Sequence, residues 1–231
     1  MKSIISSAAY AASQTLASRS LAVKRSHLSE VIAALLGYRT FAALLIEEAD
    51  PQLTYHLDDA EILVLNEPLA ITRCQELKIP ADVVNECLNA FGVQVRIPLF
   101  NGVADFFGNH LHDDIAQAMY DSDEANGAMA ESNAFYQDSP DLEEPETSGE
   151  LWMAMSEWWI SVVGTLTGDY DPDGDRIFNG NEIAVSGKMT FAKAGRAGLI
   201  HVDTEFGGGV DDSWRQKDRD DEAAFYASQQ G

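Results

Sequence analysis

The sequence has few cysteines and no long apolar segment. Its 231 residues include only Cys74 and Cys87, too few for the disulfide framework of a small secreted protein. No run reaches the roughly 18 consecutive apolar residues that a membrane-spanning helix needs. Ser and Tyr interrupt the apolar residues of the first twenty positions, so no secretory signal is predicted. These absences favour a soluble cytoplasmic protein that does not associate with a membrane.

Basic residues are scarce and unevenly distributed. The chain has 15 Lys and Arg against 38 Asp and Glu, which gives a net charge of -23. No Lys or Arg occurs between Arg96 and Arg176, and the same stretch contains 18 Asp and Glu. Such a charge repels nucleic-acid phosphates and anionic membranes, and it attracts basic partners. We therefore expect no direct contact with nucleic acid, and we expect a basic protein or ribonucleoprotein complex as the partner.

Common catalytic motifs are also missing. The sequence contains no GxSxG, no P-loop and no GxGxxG. The two cysteines fall on apolar faces of predicted helices, which is typical of buried thiols rather than nucleophiles. The stretch HLHDD, residues 110–114, is interpreted as a solvated helix start, because a His-x-His pair alone does not make a metal site. The sequence thus predicts a protein that is not an enzyme, with a metal-dependent enzyme as an alternative.

The stretch GDYDPDGDRIFNGNEI, residues 168–183, is similar to a calcium-binding loop. Counted from position 171, four carboxylates fall where an EF-hand loop needs ligands: Asp171, Asp173, Asp175 and Glu182. The glycine that the loop requires is replaced by Arg176, and a count from Asp169 restores the glycine but loses the final carboxylate. Both flanks have strand periodicity, whereas an EF-hand needs helices. We predict a hairpin connection without a cofactor, and keep weak Ca²⁺ binding as the alternative.

Residues 1–50 have the periodicity of three short helices. Ser26 is the predicted N-cap of the second helix, Gly37 ends it, and its apolar stripe comprises Leu28, Val31, Ile32, Leu35 and Leu36. Thr40 is the predicted cap of the third helix. Its sequence, TFAALLIEEAD, offers no Arg, Lys, Asn or Gln to read base edges, which argues against a DNA-reading helix-turn-helix. We predict a packing or dimerisation module, so a homodimer through these helices is an alternative.

Two resemblances bear on function. The segment KRSHLSEVIAALLGYRTFAAL, residues 24–44, resembles a short helical module of proteins carried by plasmids and other mobile elements. Related modules occur in proteins labelled as glyoxalase-superfamily members, and the likeness implies no catalytic residue. In size, acidity and lack of a catalytic motif, the chain also resembles the anti-CRISPR and anti-restriction inhibitors with which mobile elements evade antiviral defence.

The rest of the chain predicts a mixed region followed by a sheet. Residues 51–120 form a mixed α/β region, with strands expected at 60–65 and 93–100 and helices at 66–79, at 80–92 and from about 101 to 120. The 93–100 strand should bury one face, which begins with Val93. Residues 121–150 are acidic with little periodicity, which favours a linker or long loop.

Residues 151–231 contain three runs with a period of two, typical of an antiparallel meander, and a C-terminal tail that we expect to form a helix. The predicted fold class is α+β, with a helical N-terminal module, a mixed middle region and a C-terminal antiparallel meander.

These observations predict a non-enzymatic acidic protein that inhibits a basic nucleic-acid-handling complex of the host. It would compete with nucleic acid or disrupt subunit contacts. The alternative is an accessory or regulatory protein of a plasmid or integrative element that dimerises through its N-terminal helices. We expect the partner to be bound by a tryptophan anchor and the following carboxylates: Trp152, Asp121, Asp123, Glu124, Glu131, Asp138, Asp141, Glu143, Glu144, Glu146, Asp169, Asp171, Asp173 and Asp175.

Overall fold

The computed structural model describes residues 1–132, 134–171 and 181–210, which belong to two compact units. Unit 1 comprises Met1–His110, Thr147–Ile160 and Met189–Asp203. Unit 2 comprises Leu111–Glu146, Ser161–Lys188 and the chain from Thr204 onward. Among the described residues, no helix is long and apolar enough to cross a membrane.

The helices lie mainly in the first 131 residues. They are α1 (Lys2–Ser18), α2 (Arg25–Leu35), α3 (Phe41–Glu48), α4 (Glu67–Leu77), α5 (Val83–Gly92), α6 (Val103–Phe106), α7 (His112–Tyr120) and α8 (Asp123–Glu131). Short 3-10 turns lie at Leu57–Asp59 and Leu151–Met153, and a π-helical turn at Phe107–Leu111 joins α6 to α7. The helix expected over 101–120 is therefore present, with a π-helical turn in the middle.

The strands differ widely in length. They are β1 (Ile62–Val64), β2 (Leu99–Phe100), β3 (Ala134–Phe135), β4 (Asp141–Leu142), β5 (Glu146–Thr147), β6 (Glu157–Thr167), β7 (Asp169–Tyr170), β8 (Glu182–Ala194) and β9 (Gly198–Val210). The hydrogen-bonded order is β2-β1-β9-β8-β6-β4, β5 also pairs with β6, and β3 pairs with β7 in a separate ribbon. The α+β class, with helices first and antiparallel strands in the C-terminal half, is confirmed.

Registers fix the short strands onto the long ones. In unit 1, β1 pairs in parallel with β2, Leu63 opposite Leu99, and antiparallel with β9, Ile62 opposite Leu199. In unit 2, β4 pairs antiparallel with β6, with Asp141 opposite Thr165. The adjacent order of β6, β8 and β9 confirms the predicted meander.

The N-terminal helices build the core of unit 1. Helix α2 packs against α1, α4 and α5, and the predicted stripe of α2 is buried completely. Gly37 ends this helix with φ +85, and the Thr40 hydroxyl caps α3 by accepting a 3.0 Å hydrogen bond from Ala43 N–H, both as predicted. The predicted Ser26 cap is wrong, since α2 begins at Arg25 after Lys24. Because the stripe is used inside this chain, it is not left free for a second copy.

The strand expected over 93–100 is much shorter than predicted. Only Leu99 and Phe100 are in a strand, and Val93, expected on a buried face, is 83% exposed. Val93 is the C-cap of α5 and has helical backbone angles, so no strand begins at the first residue of the alternating pattern. A short period-two run cannot reveal that the preceding helix has not yet ended.

The acidic stretch 121–150 contains more structure than the expected loop. Ser122 caps α8 by accepting a 3.1 Å hydrogen bond from Ala125 N–H, and Ala125 and Ala128 are buried beneath it. Three two-residue strands, β3 to β5, follow. The inner face of α8 includes alanines, which carry little hydrophobic signal, and this explains why periodicity missed the helix.

The long strands alternate largely as the sequence predicts. In β6 the buried positions are Trp158, Ile160, Val162, Gly164 and Leu166, and β8 buries Ile183, Val185, Gly187 and Phe191 in the same way. Val202 lies in the apolar phase of β9 but is 59% exposed, so the apolar face of this strand is not buried at that residue. The predicted hairpin tip at 172–180 and the tail from 211 lie outside the described residues.

Candidate functional site

Nine of the predicted partner-binding carboxylates lie in one continuous stretch of unit 2, residues 121–146, which we call the acidic segment. All nine are exposed: Asp121, Asp123, Glu124, Glu131, Asp138, Asp141, Glu143, Glu144 and Glu146. Helix α8 holds three of them, and its buried alanines turn its acidic side chains toward solvent. Carboxylates near the N-terminus of a helix are stabilised by its dipole, which suits Asp123 and Glu124 in the first turn.

Close backbone contacts hold the second half of the acidic segment. Tyr120 donates a 2.8 Å hydrogen bond from its hydroxyl to the Tyr136 carbonyl, and the Tyr136 ring packs on Gly168. Strand β4 approaches β6 at Gly164, where a Cβ atom would stand 2.7 Å from the Asp141 carbonyl oxygen. A side chain at Gly164 would therefore push β4 away, so this glycine is required for the pairing.

The described residues of unit 2 carry almost no positive charge to offset these carboxylates. Lys188 is the one Lys or Arg among its described residues, against fifteen Asp and Glu. Unit 1 holds fifteen Asp and Glu but ten Lys and Arg. Among the described residues, the net negative charge is therefore concentrated in unit 2, where the uncompensated carboxylates add to a strongly negative potential.

The remaining predicted partner residues lie elsewhere. Asp169 is exposed in β7, which pairs with β3. Asp171 is half-buried and takes part in a hydrogen bond or another electrostatic interaction. Asp173 and Asp175 lie outside the described residues. Trp152 belongs to unit 1, where its indole N–H donates a 2.8 Å hydrogen bond to the Val64 carbonyl and its ring packs on Gly37. Trp152 is thus held within unit 1, whereas the acidic segment belongs to unit 2.

Neither candidate metal site has a complete set of ligands among the described residues. Within the described part of the chain, no group of three or more His, Cys, Asp and Glu side chains is placed to hold a metal ion. Glu182 is exposed at the start of β8, and residues 172–180 of the aspartate loop are not described. His110 stacks on the Phe100 ring with 5.1 Å between centroids, while His112 Nδ1 lies 2.9 Å from the Asp113 carboxylate.

A second candidate site, which the sequence did not predict, is a cleft in unit 1. Its volume is about 630 Å³, and its walls come from α3, the following turn, the Trp152 turn and the β8–β9 turn. Apolar side chains dominate the walls, among them Ile46, Leu53, Met153 and Met155. Ile46, Met153 and Met155 are 73%, 65% and 83% exposed, so the rim is an apolar surface open to solvent.

Lys193 lines this cleft and is only 5% exposed. Its Nζ donates a 2.7 Å hydrogen bond to the Arg196 carbonyl. Burial lowers the pKa of Lys193 from its ordinary value to about 7, and the Glu47 carboxylate opposes that change. The side chain is therefore a largely desolvated amine that loses its proton near neutral pH.

The Glu47 carboxylate is held by other partners. It accepts a 2.6 Å hydrogen bond from the Tyr38 hydroxyl and pairs with Arg196 Nε at 3.6 Å. Burial, and then the hydrogen bond to Glu47, raise the pKa of Tyr38 above its ordinary range, so the phenol stays protonated and keeps donating. Among the described residues, no carboxylate lies within ion-pair distance of Lys193.

One sequence signal could have identified Lys193. The buried positions of β8 alternate from Ile183 through Phe191, and Lys193 occupies the next position of the same phase. A lysine in the buried phase of a strand is unusual because its charge must be desolvated. The other polar residues of the cleft carry no comparable signal, since they are far apart in sequence.

Comparison with protein-family models, with curated proteins and with solved structures found no match.

Proposed function

We propose that this protein is a non-enzymatic acidic inhibitor that binds a basic nucleic-acid-handling complex of the host, in the manner of anti-CRISPR proteins. The observation that carries the proposal is the acidic segment. Its nine carboxylates are all exposed, and they belong to a unit with a single Lys or Arg among its described residues. The partner would be a basic protein or a ribonucleoprotein complex.

The charge distribution supports competition with nucleic acid. A channel that binds nucleic acid is lined by Lys and Arg, which neutralise phosphates and release counterions. Exposed carboxylates at the density of the acidic segment offer the same channel an alternative anion. Complementary charge also accelerates encounter, and this acceleration falls steeply with ionic strength. Binding to such a partner is therefore expected to weaken markedly at high salt.

The backbone of the acidic segment supports specific recognition as well as long-range attraction. The Ser122 cap and the β4–β6 pairing hold the carboxylates of α8 and β4 on regular elements, and the Glu143 N–H donates a 2.9 Å hydrogen bond to the Val163 carbonyl of β6. Preorganised charges lose less conformational entropy on binding than charges on an unstructured chain. A fixed arrangement can therefore discriminate between basic partners of different shape.

The test is capture of a host ribonucleoprotein complex on the immobilised protein, followed by displacement of labelled nucleic acid from that complex. The acidic variant carries Glu143→Gln, Glu144→Gln and Glu146→Gln, three exposed carboxylates of the acidic segment. The matched control removes the same charge from exposed positions of unit 1 outside the Arg96–Arg176 stretch, through Asp58→Asn, Glu76→Gln and Asp82→Asn. We expect the acidic variant to lose at least about tenfold in affinity, which is 1.4 kcal/mol, and the control to bind as the parent does.

The second part of the test measures how capture depends on ionic strength. Capture by the parent should fall between low and high ionic strength, and the acidic variant should show a shallower dependence. Equal capture by the acidic variant, the control and the parent would contradict the proposal. Capture without displacement of nucleic acid would rule out competition and leave disruption of subunit contacts as the mode of inhibition.

A further inference from the structure

We propose that the unit 1 cleft binds a small apolar aldehyde, and that Lys193 Nζ forms an imine with the carbonyl carbon of this ligand. The inference is independent of the acidic segment, because all the residues of the cleft belong to unit 1.

The size and lining of the cleft indicate a small-molecule ligand. Its volume of about 630 Å³ lies within the range of roughly 300 to 1,000 Å³ that is usual for such sites. Its apolar walls, which include Leu53 and Met153, favour a hydrophobic ligand body. Methionine side chains also adapt to ligands of different shape.

The surroundings of Lys193 favour a neutral amine. The side chain is almost completely buried, and its Nζ has one hydrogen-bond acceptor in the described part of the chain, the Arg196 carbonyl. A buried ammonium without a counterion is costly, so the amine tends to lose its proton instead. The pKa of Lys193, lowered to about 7, follows from this burial. A neutral amine has a lone pair and attacks carbonyl carbon.

The anchoring of Glu47 keeps Lys193 in this state. The Tyr38 hydroxyl and Arg196 Nε already engage the Glu47 carboxylate, which lines the same cleft without forming an ion pair with Lys193. If Glu47 were free to approach, it would stabilise the ammonium and remove the nucleophile. The network thus separates a carboxylate from an amine inside one cleft.

The same charges select an uncharged ligand. The carboxylates of Glu47 and Asp50 both line the cleft, and the Arg196 guanidinium is already paired with Glu47. An anionic ligand would face two carboxylates with one partly engaged cation. A neutral aldehyde avoids this repulsion and still offers an electrophilic carbon to Nζ.

The reaction balances without an oxidant or reductant. The Nζ lone pair forms a bond to the carbonyl carbon, and the π pair moves to the oxygen, which takes the first of the two amine protons to give a carbinolamine. The carbon–oxygen bond then breaks as the C=N bond forms, and the oxygen leaves as water with the second amine proton. One aldehyde and one amine become one imine and one water, and the reaction is reversible.

Reductive trapping tests the proposal directly. The folded full-length protein is treated at about pH 7 with 3-phenylpropanal and cyanoborohydride, which reduces an imine to a stable secondary amine, and the labelled lysines are located by peptide mass mapping. An ordinary exposed lysine, with a pKa of about 10.4, holds very little neutral amine at this pH. We therefore expect Lys193 to be labelled at least about tenfold faster than the exposed Lys78.

Two controls separate binding in the cleft from simple nucleophilicity. An excess of 3-phenylpropanol, which has the same apolar body but no carbonyl, should slow the labelling of Lys193 and leave Lys78 unchanged. Lys193→Arg should abolish the rapid label, while Lys78→Arg should retain it. Labelling of Lys193 no faster than Lys78, or no protection by the alcohol, would overturn the inference. The peptide map of the parent protein decides the question even if Lys193→Arg does not fold.

Discussion

The Tyr38 hydroxyl donates a 2.6 Å hydrogen bond to the Glu47 carboxylate, and Tyr38 is 1% exposed. The same hydroxyl accepts a 3.2 Å hydrogen bond from the Arg196 backbone N–H in the β8–β9 turn. The Tyr38 phenol therefore links Glu47 of α3 to Arg196, which lies 158 residues after Tyr38 in the chain. This link positions Glu47 and Arg196 at the cleft and determines what Lys193 can pair with.

Tyr38→Phe tests the contribution of this phenol to stability. The variant keeps the buried ring but leaves the Arg196 N–H without its acceptor and removes one donor from Glu47, so we expect a loss of about 1 to 3 kcal/mol in unfolding free energy. Urea denaturation measures it. Tyr10→Phe is the matched control, because Tyr10 is 52% exposed and its change should stay within about 0.5 kcal/mol. Equal effects of the two variants would show that the buried hydrogen bonds do not stabilise the fold.

Lys193 should make the stability of the protein depend on pH. Its pKa is about 7 in the folded chain and about 10.4 in an unfolded chain, so between these values the unfolded state binds more protons. Stability therefore rises with pH across this range, as the cost of burying the charge is lost. Lys193→Met has no such cost and should be most stable relative to the parent at or below about pH 7, with an advantage that shrinks toward about pH 10.

The measurement is urea unfolding of the parent and of Lys193→Met at about pH 7, 8.5 and 10. Comparing the two proteins at each pH cancels the other groups that titrate in this range, including both cysteines. A difference in unfolding free energy that stays constant with pH would mean that Lys193 titrates normally in the folded protein.

Both cysteines should be unreactive in the folded protein. Cys74 and Cys87 are fully buried, and burial raises their pKa values to about 11 and about 12. Because the thiolate is the reactive form, a disulfide reagent at about pH 8 should react with them only on unfolding. Ser7→Cys places a thiol on the exposed side of α1 and should react at once. Rapid reaction of the parent in the absence of denaturant would contradict the burial of these thiols.

Gly127→Ala tests whether the acidic segment contains the helix α8. A Cβ at Gly127 meets nothing within 4 Å, so alanine should add up to about 1 kcal/mol through its higher helix propensity. Gly164→Ala makes the same chemical change in β6, where the new Cβ would meet the Asp141 carbonyl, and it should destabilise the protein. Thermal melts compare the two variants. No gain from Gly127→Ala would indicate that residues 123–131 are not helical.

Local periodicity predicted much of this fold. The apolar stripe of α2 and the alternation of β6 each predict which side of that element is buried. Such a pattern can be read from a few neighbouring residues. The Gly37 ending and the Thr40 cap are equally local, since each depends on the conformation or hydrogen bond of a single residue. The prediction of a Ser26 cap was wrong because α2 begins one residue earlier, at Arg25. The predicted 93–100 strand was too long because Val93 is still the C-cap of α5.

The acidity of the chain, and the lack of Lys and Arg between Arg96 and Arg176, follow directly from the sequence because charge can be counted without a fold. Hydrophobic periods of 3.6 and 2 also indicated the N-terminal helices and the long strands β6 and β8, although they missed α8. The fold was needed to show that the net negative charge of the described residues is concentrated in unit 2 and that Lys193 is desolvated beside a Glu47 already bound by other groups. Desolvation and pairing depend on groups brought together from Tyr38 to Arg196, and spacing along a chain does not contain those distances.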